Sequence, residues 1–255
     1  MPIIAMTTSV ALVGSTGLVV STTTTHPPTC SDLLQGSNIL QTLLSTPSIS
    51  TIHAFSRRPL LTHAKLHPTI DPDTTTWPTI LSKLRPPPPL FISALGTTQA
   101  AAGSTAVQRT IDYDLNLALA RAAHAAGTKT YVLVSTSGAS ATSPFAYPKM
   151  KGELEDAVRG LGFEHVVILR PGLLVGDRAE SRPVEAVFRG VARGLGALTA
   201  GMLKDFWAQD ADVVARAAIR AGLACSEGKG GGEQGVWVVG QGEVVRLGKK
   251  GEGEV

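Results

Sequence analysis

The run VALVGSTG, at residues 10–17, decides the fold class of this 255-residue chain. Four consecutive apolar residues are typical of a buried parallel strand, and the glycines that follow predict a tight loop. A loop at the carboxyl end of such a strand offers backbone N–H groups to a phosphate. The pattern therefore predicts a dinucleotide-binding loop, while two glycines at this spacing also occur in strand-to-loop turns that bind nothing.

Strand-like and helix-like segments alternate along the rest of the chain. Apolar runs predict further strands at residues 51–55, 66–70, 90–94, 131–134 and 166–169. Apolar periodicity predicts helices from residue 39 onward and over 111–126, 147–161, 184–191 and 211–224. Residues 71–77 are predicted to be a loop. Strands that alternate with helices predict an α/β fold with a doubly wound parallel sheet, the NAD(P)-binding Rossmann type.

The length fits a single domain over residues 1–255, ending in a glycine-rich linker and short terminal strands within 226–255. We place those two strands at residues 236–239 and 244–247. Residues 20–35, rich in Thr, Ser and Pro, stand between the glycine loop and the first helix. Without them, Gly36 would become the third glycine, three residues after Gly17. We interpret this segment as a retained intron, and the alternative is a genuine surface insertion.

Charge and cysteine content argue against several classes of protein. The net charge of +3 and the 17% of charged residues give no basic stripe, so we expect no nucleic-acid partner. Cys30 and Cys225 lie far apart and have no metal-ligand spacing, so we expect neither a disulfide framework nor a metal site. Residues 1–13 contain no basic side chain, and no apolar run approaches the roughly 20 residues of a membrane span.

Two arginines, Arg57 and Arg58, follow the second predicted strand, and no acidic residue accompanies them. In a dinucleotide-binding fold, an acidic residue at this point binds the ribose 2′-hydroxyl, whereas arginine binds a 2′-phosphate. The pair therefore favours NADP(H) over NAD(H). The alternative is a solvated turn that binds no ligand.

The run YPKMK, from Tyr147 to Lys151, carries the candidate chemistry. Its i, i+4 spacing places both side chains on one face of a helix. A nearby lysine ammonium favours the phenolate, so we expect a lowered pKa for Tyr147 and a role in general acid–base catalysis. One of the hydroxyls at residues 135–137 would hold the substrate oxygen. We expect Asp112 and Asp114, near the start of the preceding helix, to complement its dipole.

The runs at residues 91–98, 147–153 and 169–183 closely resemble fungal atypical short-chain dehydrogenases of the mitochondrial proteome. They are also similar to the animal Tat-interacting oxidoreductase family. The likeness covers about residues 9–225. It implies an NADP(H)-dependent oxidoreductase acting on a carbonyl or alcohol, with an NADP(H)-binding regulatory or interaction protein at the mitochondrial surface as the alternative. It also implies peripheral attachment to the outer mitochondrial membrane, with a cytoplasmic location as the alternative.

The resemblance assigns individual site residues as well. The proton-transfer tyrosine falls on Tyr147, its partner on Lys151, and the serine pair after the fifth strand on Ser135 and Thr136. We favour Thr136 over Ser137 for the substrate contact. Tyr147 and Lys151 would also contact the cofactor, and the remaining positions implied to bind NADP(H) are Gly14, Ser15, Thr16, Gly17, Arg57, Arg58, Leu95, Gly96, Leu174 and Arg178. The substrate and any protein partner are not predicted.

Overall fold

A computed structural model describes residues 7–15, 38–175 and 208–249 of the protein. The central sheet comprises β1 (Thr8–Val13), β2 (Ile49–Ser56), β3 (Leu66–Ile70), β4 (Leu90–Ser93), β5 (Thr130–Val134), β6 (His165–Leu169) and, after two short strands outside it, β9 (Val236–Val239). All neighbouring strands in it are parallel. Their order is β3-β2-β1-β4-β5-β6-β9, so the direction of winding reverses at β1. The predicted doubly wound sheet is confirmed.

Helices cover both faces of this sheet. They are α1 (Asn38–Ser45), α2 (Trp77–Ser82), α3 (Gln99–Ala102), α4 (Thr105–Arg109), α5 (Asn116–Ala126), α6 (Ala146–Arg159), α7 (Ala211–Ser226) and α8 (Gln241–Gly248). Thr110–Leu115 joins α4 to α5 and is π-helical; we call it the π segment. The remaining strands, β7 (Leu173–Val175) and β8 (Ala208–Asp210), pair with each other in a separate parallel sheet.

The core lies in two layers, one on each side of the sheet. Val10 and Leu12 of β1 pack with α1, α7 and α8, whereas Ala11 and Val13 pack with α2, α5 and α6. All four side chains are fully buried. Because both faces of the strand are covered, the apolar run is continuous rather than alternating.

The structure corrects three of the predicted elements. Residues 244–247 belong to helix α8 and not to a strand, because Val244 and Leu247 stand one helical turn apart and pack into the core beside α7. Residues 71–77 contain a 3-10 turn, Thr74–Thr76, and the first residue of α2, whose Trp77 is buried. The helix predicted from residue 111 is preceded by α4 and includes the π segment. Residues 20–35 and 184–191 lie outside the described part of the chain.

Candidate active site at the carboxyl ends of the strands

The first glycine of the predicted phosphate loop lies against the end of β4. Gly14 has a φ of +83°, and a Cβ atom there would lie 2.4 Å from the carbonyl carbon and oxygen of Ala94. Only glycine fits this close approach and this backbone conformation. Ser15, which is buried, points its Oγ to within 3.5 Å of the Phe55 carbonyl oxygen. The loop therefore lies between the ends of β2 and β4; Thr16 and Gly17 are outside the described residues.

The two candidate phosphate-binding arginines follow β2 directly, and both are exposed. The Ser56 hydroxyl donates to the Arg58 carbonyl at 2.7 Å and accepts from the Arg58 N–H at 3.1 Å, which fixes this turn. Within the described ranges, neither guanidinium has an ion pair or a hydrogen bond. No described side chain therefore neutralises either charge. Of the other two candidates, Leu174 lies on β7, and Arg178 is outside the described residues.

Side chains from α4, the π segment and α5 hold the loop after β4. The Thr97 N–H donates to Asp112 Oδ1 at 2.7 Å, and Gln108 Nε2 donates to the Thr97 carbonyl at 2.9 Å. Asn116 Nδ2 donates to the Leu95 carbonyl at 3.2 Å. All three of these side chains are buried. They fix the backbone of the predicted cofactor-lining pair, Leu95 and Gly96.

Sequence analysis missed this group of anchoring residues. Gln108, Asp112 and Asn116 recur at intervals of four, a polar stripe that periodicity of polar residues could have revealed. The expectation that Asp112 complements a helix dipole was wrong. Asp112 is fully buried and lies inside the helical stretch that starts at Thr105, not near its exposed beginning. Short π-helical stretches of this kind are frequent at functional sites.

The structure brings together Tyr147 and Lys151 on α6, as the spacing predicted. Pro148 falls in the first turn of the helix, where its missing N–H leaves no hydrogen bond unmade. Lys151 is only 3% exposed, and its Nζ lies 6.0 Å from the centre of the Tyr147 ring, which is 39% exposed. Burial lowers the pKa of Lys151, against the opposing effect of the negative charges of Asp112 and Glu155.

The expected lowering of the Tyr147 pKa is not found. Burial, together with the negative charge of Asp112, raises the pKa of Tyr147 to about 12. The structure therefore holds this side chain as a neutral phenol at ordinary pH. A neutral phenol can donate a proton but is a poor acceptor.

Asp112 and Lys151 border one small space beside Gly96. A Cβ atom at Gly96 would lie 3.4 Å from Asp112 Oδ2 and 3.8 Å from Lys151 Nζ. Oδ2 is buried and has no hydrogen-bond partner among the described residues. Burial raises the pKa of Asp112, while Lys151 and the Thr97 N–H act in the opposite direction. An acceptor and a cationic donor thus face the same position at the predicted cofactor loop.

The two candidate hydroxyls after β5 differ in their surroundings. Ser135 is buried, and its Oγ donates to Glu155 Oε1 at 2.6 Å. Thr136 is half-buried, and no hydrogen bond engages its hydroxyl within the described part of the chain. The hydroxyl of Thr136 is therefore the one left free for a substrate.

Glu155 is the centre of a separate buried network one turn beyond Lys151. Arg170 donates to Glu155 through Nε at 3.1 Å and Nη2 at 2.5 Å, and Arg159 donates through Nη2 at 3.1 Å. Next to this network, a Cβ atom at Gly152 would lie 2.2 Å from the carbonyl carbon of Ser140. Arg170 and Gly152 belong to the runs that carried the family resemblance, and the structure gives both a packing role.

The fold defines an α/β protein with a doubly wound parallel sheet of the Rossmann type. Among solved structures, the chain resembles MoeE5 in complex with UDP-glucose and NAD, with a TM-score of 0.59, 16% identity, and coverage of 94% of this chain and 80% of that one. It also resembles a short chain dehydrogenase family protein from Francisella tularensis, with a TM-score of 0.58, 11% identity, and coverage of 93% and 98%.

The chain belongs to the fmp52 family of fungal proteins. It is 48% identical over 248 residues to "Protein fmp52, mitochondrial" of Aspergillus clavatus, covering 95% of this chain and 99% of that protein. The Neurospora crassa protein "fmp-52, mitochondrial" is 42% identical over 250 residues, covering 95% and 96%. The family named HIM1 matches residues 69–192. The predicted likeness to fungal mitochondrial proteins is confirmed, and the likeness to the Tat-interacting family stays a prediction.

The relatives are named mitochondrial. In the parts of the chain that the structure describes, every helix is too short or too polar to cross a bilayer.

Proposed function

We propose that this protein is an NADP(H)-dependent oxidoreductase that reduces a carbonyl group, with Tyr147 as the proton donor and Lys151 as its partner. One observation carries the proposal: the buried Lys151 ammonium lies beside Tyr147 and also beside the Gly96 loop at the carboxyl edge of the sheet. Carboxyl edges near the reversal of strand order are where open α/β sheets bind their ligands.

The residues at this edge fit a nicotinamide dinucleotide. Gly14 places no side chain at the first position of the loop, where a pyrophosphate needs close backbone approach, and Arg57 and Arg58 offer two charges that have no ion pair among the described residues. Near Gly96, Lys151 Nζ can donate to a ribose hydroxyl. When bound, the cofactor supplies a hydride.

Side chains of the protein carry out the proton transfer to the substrate. Tyr147 is a neutral phenol because its pKa is raised to about 12, so it can protonate the carbonyl oxygen as that oxygen gains charge. The adjacent Lys151 ammonium then stabilises the phenolate that remains. We assign Thr136 to hold the substrate oxygen, since the hydroxyl of Ser135 already donates to Glu155. The product is the alcohol, and bulk water returns a proton to Tyr147.

The test combines cofactor titration with a panel of carbonyl substrates. Tyr147→Phe should lower turnover by about a hundredfold or more and leave the NADPH Kd nearly unchanged, because it removes the proton and keeps the ring. The matched control is Tyr113→Phe, which should keep its activity. The centre of the Tyr113 ring lies 4.3 Å from Arg109 Cζ. Binding without turnover of any carbonyl by the native protein would favour the non-catalytic alternative. Retained turnover in Tyr147→Phe would overturn the assignment of the proton donor.

Cofactor preference provides a second test of the proposal. Two charge-assisted bonds to a 2′-phosphate contribute about 1.5 to 3 kcal/mol each. The double variant Arg57→Ala, Arg58→Ala should therefore bind NADPH and NADH about equally. Arg121→Ala removes an exposed arginine of α5 and serves as the charge control. Continued preference for NADPH in the double variant would place the 2′-phosphate contact elsewhere.

A further inference from the structure

The buried charge of Asp112 needs an explanation. One carboxylate oxygen accepts the Thr97 N–H, and the other has no partner within the described ranges. An asparagine amide oxygen would accept the same N–H without burying a charge. Since burying an unpaired charge is costly, the negative charge itself must have a second role.

Lys151 presents the opposite problem, a buried ammonium that has no ion pair within the described residues. Three described groups lie close enough to affect its charge: the ring of Tyr147, the carboxylate of Glu155 on the same helix, and the carboxylate of Asp112 in the π segment. Glu155 is already saturated by three donors, namely Ser135, Arg159 and Arg170. Among the described residues, Asp112 is therefore the negative charge left to balance Lys151 across the space beside Gly96.

We propose that Asp112 is a positioning residue that keeps the Lys151 ammonium charged and directed at the space beside Gly96. The role of this ammonium in the reaction rests on the proposed function. The same negative charge disfavours the phenolate of Tyr147, which lies one turn before Lys151. Asp112 thereby keeps both members of the pair protonated, which is the state needed to deliver a proton during reduction.

Lysine titration by NMR tests the coupling in the cofactor-free protein. The Cε resonance of Lys151, identified as the one that Lys151→Arg loses, is followed against pH in native protein, Asp112→Asn and Asp114→Asn. Removing a negative charge destabilises the ammonium, so the titration midpoint should fall by about one pH unit or more in Asp112→Asn. Asp114→Asn removes the same charge from an exposed position two residues away and should leave the midpoint unchanged. An unchanged midpoint in a folded Asp112→Asn would overturn the proposal.

Two further measurements keep the proposal open to refutation. The NADPH Kd of Asp112→Asn should rise about fivefold at the native Lys151 midpoint and approach the native value well below it, because a midpoint one unit lower leaves only about a tenth of the side chains charged there. Equal weakening at every pH would indicate a purely structural role for Asp112 and would overturn the proposal. If Asp112→Asn does not fold, Lys151→Met tests the reciprocal effect: the Asp112 Cγ titration should move to higher pH, and no movement would refute the coupling. Failure of NADPH to bind, with the Lys151 shift intact, would overturn the proposed function and not the coupling.

Discussion

Lys151 and Glu155 stand one turn apart on the buried side of α6, and their charges are balanced in different ways. Glu155 is fully buried, and donors from the residue after β5, from α6 and from the residue after β6 surround it. Lys151 is nearly as buried, yet within the described residues it has no direct hydrogen bond or ion pair, and Asp112 Oδ2 opposite is equally unpaired. A saturated charge serves the fold, whereas an unsaturated one leaves bonding capacity for a ligand. The comparison separates structural from functional residues along a single helix.

The sharpest test of this comparison is the effect of removing each charge on stability. Glu155→Ala should lower the free energy of unfolding by about 2 to 4 kcal/mol, because it leaves Arg170 without its partner and Arg159 with Asp156 alone. The side chains of Arg159 and Arg170 are 30% and 31% exposed, so water compensates part of the loss. Lys151→Met should leave stability unchanged or raise it, since it replaces a buried charge with an apolar chain of similar length.

Urea denaturation of both variants measures these effects. Glu153→Ala, also on α6, is the control. It breaks a more exposed ion pair with Arg109 of α4 and should lower the free energy of unfolding by only about 0 to 1 kcal/mol. Equal losses in Glu155→Ala and Lys151→Met would show that these two positions on α6 do not differ in the way proposed.

Two glycines sharpen the same contrast with a smaller expected effect. Gly152→Ala places a Cβ atom 2.2 Å from the backbone of Ser140, in a contact that neither chain segment can relieve by a side-chain rotation. Such overpacking costs about 1 to 3 kcal/mol of stability. Gly96→Ala meets nothing closer than 3.4 Å and should fold normally, but its methyl group fills the space between Asp112 and Lys151 and should weaken NADPH binding. Thermal melts and cofactor titration separate the two outcomes; native NADPH affinity in Gly96→Ala would count against placing the cofactor there.

The smallest effect concerns the two hydroxyls after β5. Ser135→Ala removes one donor to Glu155 and should cost about 1 kcal/mol of stability with little change in kcat. Thr136→Val should leave the unfolding free energy nearly unchanged and lower kcat/KM about tenfold, because its hydroxyl, unlike that of Ser135, has no hydrogen bond within the described residues. Chemical denaturation and steady-state kinetics on both variants decide between them. If Ser135→Ala lowers kcat/KM and Thr136→Val lowers only stability, the substrate contact must be assigned to Ser135.

Much of the fold could be predicted from the sequence, because its evidence is local. Continuous apolar runs such as residues 10–13 mark strands that are covered on both faces, and the structure has a strand at each predicted position except 244–247. That exception arose because Val244, Val245 and Leu247 fit either period over so short a run, and only packing against α7 decides for a helix. The π segment was predicted only as part of the helix over 111–126, because a single π-helical turn is too short to change the helical period of the sequence.

The candidate site likewise has features that the sequence predicts and features that only the tertiary structure decides. The sequence by itself determined that Tyr147 and Lys151 share a helix face and that Gly14 and the two arginines follow neighbouring parallel strands, because helical spacing and strand order are properties of consecutive residues. Only the tertiary structure decided which charges are compensated. It joined Ser135 to Glu155, set Asp112 opposite Lys151, and raised the pKa of Tyr147 instead of lowering it. Burial and electrostatic balance depend on segments distant in sequence that meet only when the sheet and its helices have packed.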